Sequence, residues 1–185
     1  NLVNVVPDEV VIETLVRAAN KDAIADAAAK TDRAFKSGAY AIGAQCQITT
    51  MPGYLPALSA EANEEVLASA QIASQSSKKD YKVVKQDTTA HSGGSTDVGD
   101  VQHLQPVLTF STGGKVSGLH SVDFDIVDDE LAYVVTAKIF ALSAYRLLKN
   151  GAEKAKEVVE NYHPIFTKEA YIQYMDSFIS ESRDL

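Results

Sequence analysis

A single cysteine, Cys46, occurs among 185 residues, so no internal disulfide can form. That fits a reducing compartment such as the cytoplasm, where a domain must rely on its core, and the thiol reads as a small buried residue. No uninterrupted apolar run reaches the roughly 18 residues of a membrane span, and no signal peptide is visible at the amino end. No membrane partner is therefore expected. Positive charge is scarce: 17 Lys and Arg stand against 25 Asp and Glu, a net charge of −8. A phosphate backbone would be repelled rather than neutralised, which argues against nucleic acid. Also missing are the HExxH, CxxC, GxSxG and GxGxxG patterns, and Asp97 with Asp100 lacks the alternating acidic ligands and terminal Glu of a calcium loop.

What is present is an ordinary supply of core-forming residues, 45% apolar with 23% charged. Residues 10–17, Val-Val-Ile-Glu-Thr-Leu-Val-Arg, read as a β-strand, because β-branched side chains suit a pleated surface. Asn20 is placed to cap a helix over about 21–37 that Gly38 would stop, and 40–49 reads as a second strand. Met51-Pro52-Gly53-Tyr54-Leu55-Pro56 is a turn-rich connector and the expected domain boundary. Beyond it come a helix from Ser59 to about 75, short strands at 81–84 and 107–110, and a long helix from about 130 to 148. That helix carries apolar residues on more than one side, which predicts more than one covering layer. Lys149-Asn150-Gly151 ends it, a polar helix follows over about 152–161, and Thr167 caps a last helix after Pro164.

Groups able to do chemistry gather between His91 and Glu130. The stretch His91-Ser92-Gly93-Gly94-Ser95-Thr96-Asp97-Val98-Gly99-Asp100 is a glycine-dense polar loop, where backbone can approach a ligand closely. Of four histidines, His163 and His103 read as structural, while His91 at the loop entrance is open between structure and function. His120, in Gly118-Leu119-His120-Ser121 with Asp123 and Asp125 just beyond, is a possible metal ligand, but spacing alone leaves a structural role open. Asp97 is expected to hold the loop through backbone amides. Ser95 and Ser121 lack the surroundings of a serine nucleophile.

The order of motifs adds a further expectation. Asn4-Val5-Val6-Pro7-Asp8, a strand ending in Val16-Arg17, Gly53-Tyr54-Leu55-Pro56, Gly94-Ser95-Thr96-Asp97-Val98-Gly99-Asp100, Gly118-Leu119-His120-Ser121 and Asp129-Glu130-Leu131-Ala132-Tyr133-Val134 follow one another. This succession, over about residues 1–148, resembles the carboxy-terminal half of the metal-dependent aminoacylase, carboxypeptidase and desuccinylase family, in its branch of aminobenzoyl-glutamate hydrolase-like amidohydrolases. The resemblance implies an α/β fold: residues 1–52 as the end (strand, helix, strand) of a ferredoxin-like lid that forms a homodimer, and 53–185 as the returning part of a zinc-peptidase-like catalytic domain. It further implies that His120 binds zinc or another divalent metal, with Asp123 or Asp125 orienting its second nitrogen. Asn4, Arg17, Ser95 and Asp97 would contact an N-acyl amino acid or small peptide substrate. The arginine that desuccinylase-like members place after Ser-Asp is replaced by Val98 or Gly99, so carboxylate recognition would differ. The remaining metal ligands and the glutamate base would lie before Asn1, where the chain opens without Met on an apolar stretch. The chain alone is then expected to be inactive. A non-catalytic dimerisation module on a degenerate scaffold is the alternative.

Overall fold

The computed structural model describes residues 3–59, 62–85, 87–89 and 95–184. Residues 3–18 form no regular element and are almost wholly exposed; the strand expected at 10–17 has no ladder, and its β-branched residues Val10, Val11 and Ile12 face solvent. Strand propensity is satisfied only when a partner edge supplies hydrogen bonds, and no described segment does so here. Helix α1 (Lys21–Ala41) begins where the cap was read, with the Asn20 side chain accepting from Ala23 N. It runs through Gly38, and none of its residues is buried. Strand β1 (Cys46–Thr50) follows, with Cys46 half-buried at its start.

Helix α2 (Glu64–Gln75) starts later than the sequence suggests, because Asn63 rather than Ser59 accepts the first amides, Glu65 N and Val66 N. Helix α3 (Val98–Leu104) occupies the end of the glycine-dense loop and the start of the strand-like run that follows Asp100 in sequence. A short hairpin, β2 (Lys115–Val116) with β3 (Asp125–Ile126), precedes a π-helical opening (Glu130–Val135) that continues into α4 (Thr136–Glu160). α4 is two helices laid end to end: Lys149 leaves helical geometry, and Asn150, Gly151 and Ala152 take left-handed φ values of 54°, 75° and 63°. This is the break read at Lys149-Asn150-Gly151. Helix α5 (Lys168–Asp176) is capped by Thr167 as anticipated, and β4 (Ser180–Asp184) pairs antiparallel with β1. The last strand of the chain thus returns to the first unit, across the boundary at 52/53. Residues 81–84 and 107–110 are extended without a ladder.

The core lies between α2 and α4: Ala73, Val135 and Ile139 are buried, with Tyr81, Phe110, Leu131 and Leu142 packed around them. Arg146 Nε lies 2.8 Å from Glu65 Oε2 across the same pair of helices, and each atom is buried without any other hydrogen bond. The helix Glu130–Glu160 is long and apolar enough to cross a membrane by length and composition, with a mean hydropathy of 1.4 over its most apolar window. The uninterrupted-run reading missed it because Lys138 and Arg146 divide the stretch. Both charges are spent within the fold, Lys138 Nζ on Ser76 O at 3.0 Å and Arg146 on Glu65.

Candidate functional site

The candidate ligand His120 sits in the eight-residue connection of the β2–β3 hairpin, and glycine chemistry sets the base of that hairpin. Gly114 adopts φ +94°, and a Cβ there would lie 2.9 Å from Asp128 O and 3.1 Å from Ala132 N. Its carbonyl receives Val127 N at 2.8 Å and Asp128 N at 3.2 Å, closing the hairpin onto the start of the long helix. Ser117 and His120 both take left-handed backbone, φ 63° and 65°. That conformation costs a non-glycine residue free energy and turns the chain sharply.

The Asp123 carboxylate accepts the Ser117 hydroxyl at 2.5 Å and the Ser121 hydroxyl, which together hold its pKa below the ordinary carboxylate value. Asp125 accepts its neighbour's amide, Ile126 N, at 2.8 Å. Neither acid orients the imidazole in the described fold, which corrects the expectation placed on Asp123 or Asp125: Asp123 is turned to the two serine hydroxyls and Asp125 to the amide that follows it. The His120 ring is exposed and, among the described residues, nothing hydrogen-bonds to it. Nor, among them, does any group of three or more His, Cys, Asp or Glu lie close enough to hold a metal ion. One exposed imidazole suits a ligand, but the described residues do not amount to a metal site.

The other candidates are dispersed. Asn4 and Arg17 lie exposed on the amino-terminal segment, while Ser95 and Asp97 are exposed ahead of α3. Asp97 occupies the position before the first helical residue without capping it, and its carboxylate accepts the Thr96 hydroxyl at 3.1 Å. Among the described residues no loop amide bonds to that carboxylate, and the loop positions 91–94 lie outside them. Asp100 Oδ1, three residues on, accepts Leu55 N at 2.9 Å and so ties α3 to the connector. His91, with Gly93 and Gly94, lies outside the described residues. His103 is buried, 2% exposed, its Nδ1 2.8 Å from Gly99 O and its ring stacked on Phe166. His163 is exposed.

Two constellations escape a sequence reading. The first is the hub around α3. Gln102 exchanges hydrogen bonds with Leu58 N (2.9 Å) and Leu58 O (3.2 Å), while the His103 carbonyl receives Ile165 N and Phe166 N at 3.0 and 3.1 Å. Tyr162 donates to Gln102 O. Burial raises the pKa of the Tyr171 hydroxyl, and the nearby Asp100 carboxylate adds to it. The second is Asp128, which accepts Lys79 Nζ at 2.7 Å, Tyr81 OH at 2.9 Å and Leu131 N at 3.1 Å. The Lys79 ammonium and the Leu131 amide lower its pKa, and Asp128 raises that of Lys79 in return. A cleft of about 250 Å³ opens elsewhere, at the amino end of α2, lined by Asn63, Glu64, Glu65, Lys154 and Glu157 among others. No spacing rule joins residues so far apart along the chain.

No family model, no curated protein and no solved structure matches this chain.

Proposed function

We propose that the chain is the carboxy-terminal part of a metal-dependent amidohydrolase of the peptidase and aminoacylase type, hydrolysing the amide bond of an N-acyl amino acid or small peptide. The observation that carries this reading is the state of His120, an exposed imidazole on a left-handed hairpin turn with no hydrogen bond inside the described fold. A ring held in that way keeps a nitrogen lone pair available, as a divalent metal requires. Its role is one ligand among several, the others and the general base coming from a segment that joins this one. Asn4, Arg17, Ser95 and Asp97 are assigned to the substrate, and their dispersal and exposure accord with a cleft completed by that segment. Residues 1–52 are assigned to a lid that forms the homodimer. The zinc-peptidase-like α/β architecture and a cytoplasmic setting belong to the same proposal.

The test is zinc content and turnover of N-acyl amino acids by a protein in which this chain is joined to the remaining ligands. His120→Ala there should lower bound zinc and abolish turnover; undiminished zinc and turnover would remove the assignment. The 185-residue chain by itself should show no turnover and no tight stoichiometric zinc. A second reading, a non-catalytic dimerisation module, draws on helix α1, which buries none of its residues within the chain. It would be preferred if the joined protein also fails to hydrolyse amides while still associating through residues 1–52.

A further inference from the structure

The long helix carries a second apolar face that nothing in the described chain covers. One side, Val135, Ile139 and Ser143, is buried towards α2. On the other side Tyr133, Val134, Ala137, Phe140, Ala141, Ala144, Tyr145 and Leu148 are all exposed, and none is charged. Tyr133, Phe140, Tyr145 and Leu148 each leave more than 60% of their surface to solvent (61, 64, 65 and 63%). Tyr133, Ala137, Phe140 and Ala144 follow i, i+4, i+7, i+11, one stripe of a helix, and Leu148 continues it four residues on.

We propose that this stripe is the seat of a second copy of the same chain, the two helices packing antiparallel about a two-fold axis. Two features of the stripe fit it to itself when reversed. About a midpoint near residues 140 and 141, Phe140 of one copy meets the small Ala141 of the other, and Ala137 meets Ala144, where two small side chains let the helices approach closely. Tyr133 meets Leu148 at the ends. Charge is also complementary: Glu130 lies just before the stripe and Lys149 just after it, so antiparallel pairing sets each carboxylate beside the other copy's ammonium. A face of this size, on the order of 500 Å², falls short of the ~800 Å² per partner of a standard interface. Association is therefore expected at micromolar rather than nanomolar concentration. This contact is separate from the one assigned to residues 1–52.

The experiment is zero-length carbodiimide cross-linking of the 185-residue chain, an equal mixture of ¹⁵N-labelled and unlabelled protein, with sedimentation equilibrium alongside. Within one helix, Glu130 and Lys149 stand nearly 30 Å apart at 1.5 Å per residue, so a bond between them must join two molecules. The expected result is a mixed-isotope Glu130–Lys149 cross-link and an association constant lowered on the order of 100-fold by Ala141→Glu, which puts an unpaired carboxylate in an apolar seam. Glu130→Lys and Lys149→Glu should each weaken association and their combination restore it, an outcome that misfolding would not produce. Absence of the cross-link together with association unaltered by Ala141→Glu would overturn the proposal. So would binding to anionic phospholipid vesicles that Ala141→Glu abolishes in a chain that does not self-associate, which would give the face to a membrane instead.

Discussion

Glycines of identical chemistry take opposite roles here, and substitution should expose the difference in sign. A Cβ on Gly99 would lie 2.1 Å from Leu55 O and 3.1 Å from Ala57 N, main-chain atoms that cannot swing aside. Gly99→Ala must push α3 away from residues 55–58 and disturb the Asp100–Leu55 and Gln102–Leu58 hydrogen bonds. A loss of at least about 2 kcal/mol is expected in thermal or urea unfolding. Gly38 lies inside α1 with nothing within 4 Å of its would-be Cβ. Gly38→Ala should raise stability by about 0.5–1 kcal/mol, since alanine loses less backbone freedom in a helix. Asp128 supplies the pH-dependent counterpart. Its folded pKa is lowered from the ordinary 3.8, so its contribution is present at neutral pH and disappears as pH falls through the lowered value. Lys79 has a raised pKa, so its share persists below its unfolded value and fades only as pH rises through the folded one. Asp128→Asn should therefore lower stability at neutral pH and flatten its decline below about pH 4.

At the level of elements, what could be read from the sequence was local and what could not was shared. Asn20 and Thr167 cap their helices with their own side chains, so both starts are written within three residues of the cap. The break at 149–152 is similarly local, Asn and Gly being the residues that tolerate left-handed backbone. Ala152 is the exception at φ 63°, so Ala152→Gly should relieve strain of about 1 kcal/mol, seen as a higher melting temperature; no change would show that the turn relaxes by other means. Strands depend on partners. Residues 10–17 have the better strand composition yet no ladder, while the polar Ser-Glu-Ser-Arg-Asp of β4 pairs because β1 offers an edge. For the candidate site, His120 stood out by its glycine and serine neighbours. The serine bonds that occupy Asp123, the hub at α3 and the Lys79–Asp128 link were illegible, because each depends on the folded backbone as a whole.

For the molecule as a whole, burial among the described residues lies beyond residue 54, and the amino-terminal unit adds little to it. The buried residues belong to α2, α3, the long helix and Leu55, whereas α1 buries none and residues 3–18 take no part in a ladder. Contributions to stability follow buried apolar area, so the two ends of the chain should respond differently to removal. Deleting residues 1–17 spares the Asn20 cap, the β1–β4 ladder and the α2–α4 core. The melting transition should shift by no more than about 1 kcal/mol in free-energy terms. Deleting residues 180–185 leaves that core equally untouched but takes the strand whose register runs from Cys46 opposite Asp184 to Thr50 opposite Ser180. Hydrogen exchange of the amides at 46–50 should then quicken to that of an unpaired segment, while amides in α2 and the first half of α4 keep their protection. Faster exchange of the α2 and α4 amides in either truncation would mean that the amino-terminal unit supports the core more strongly than its burial indicates.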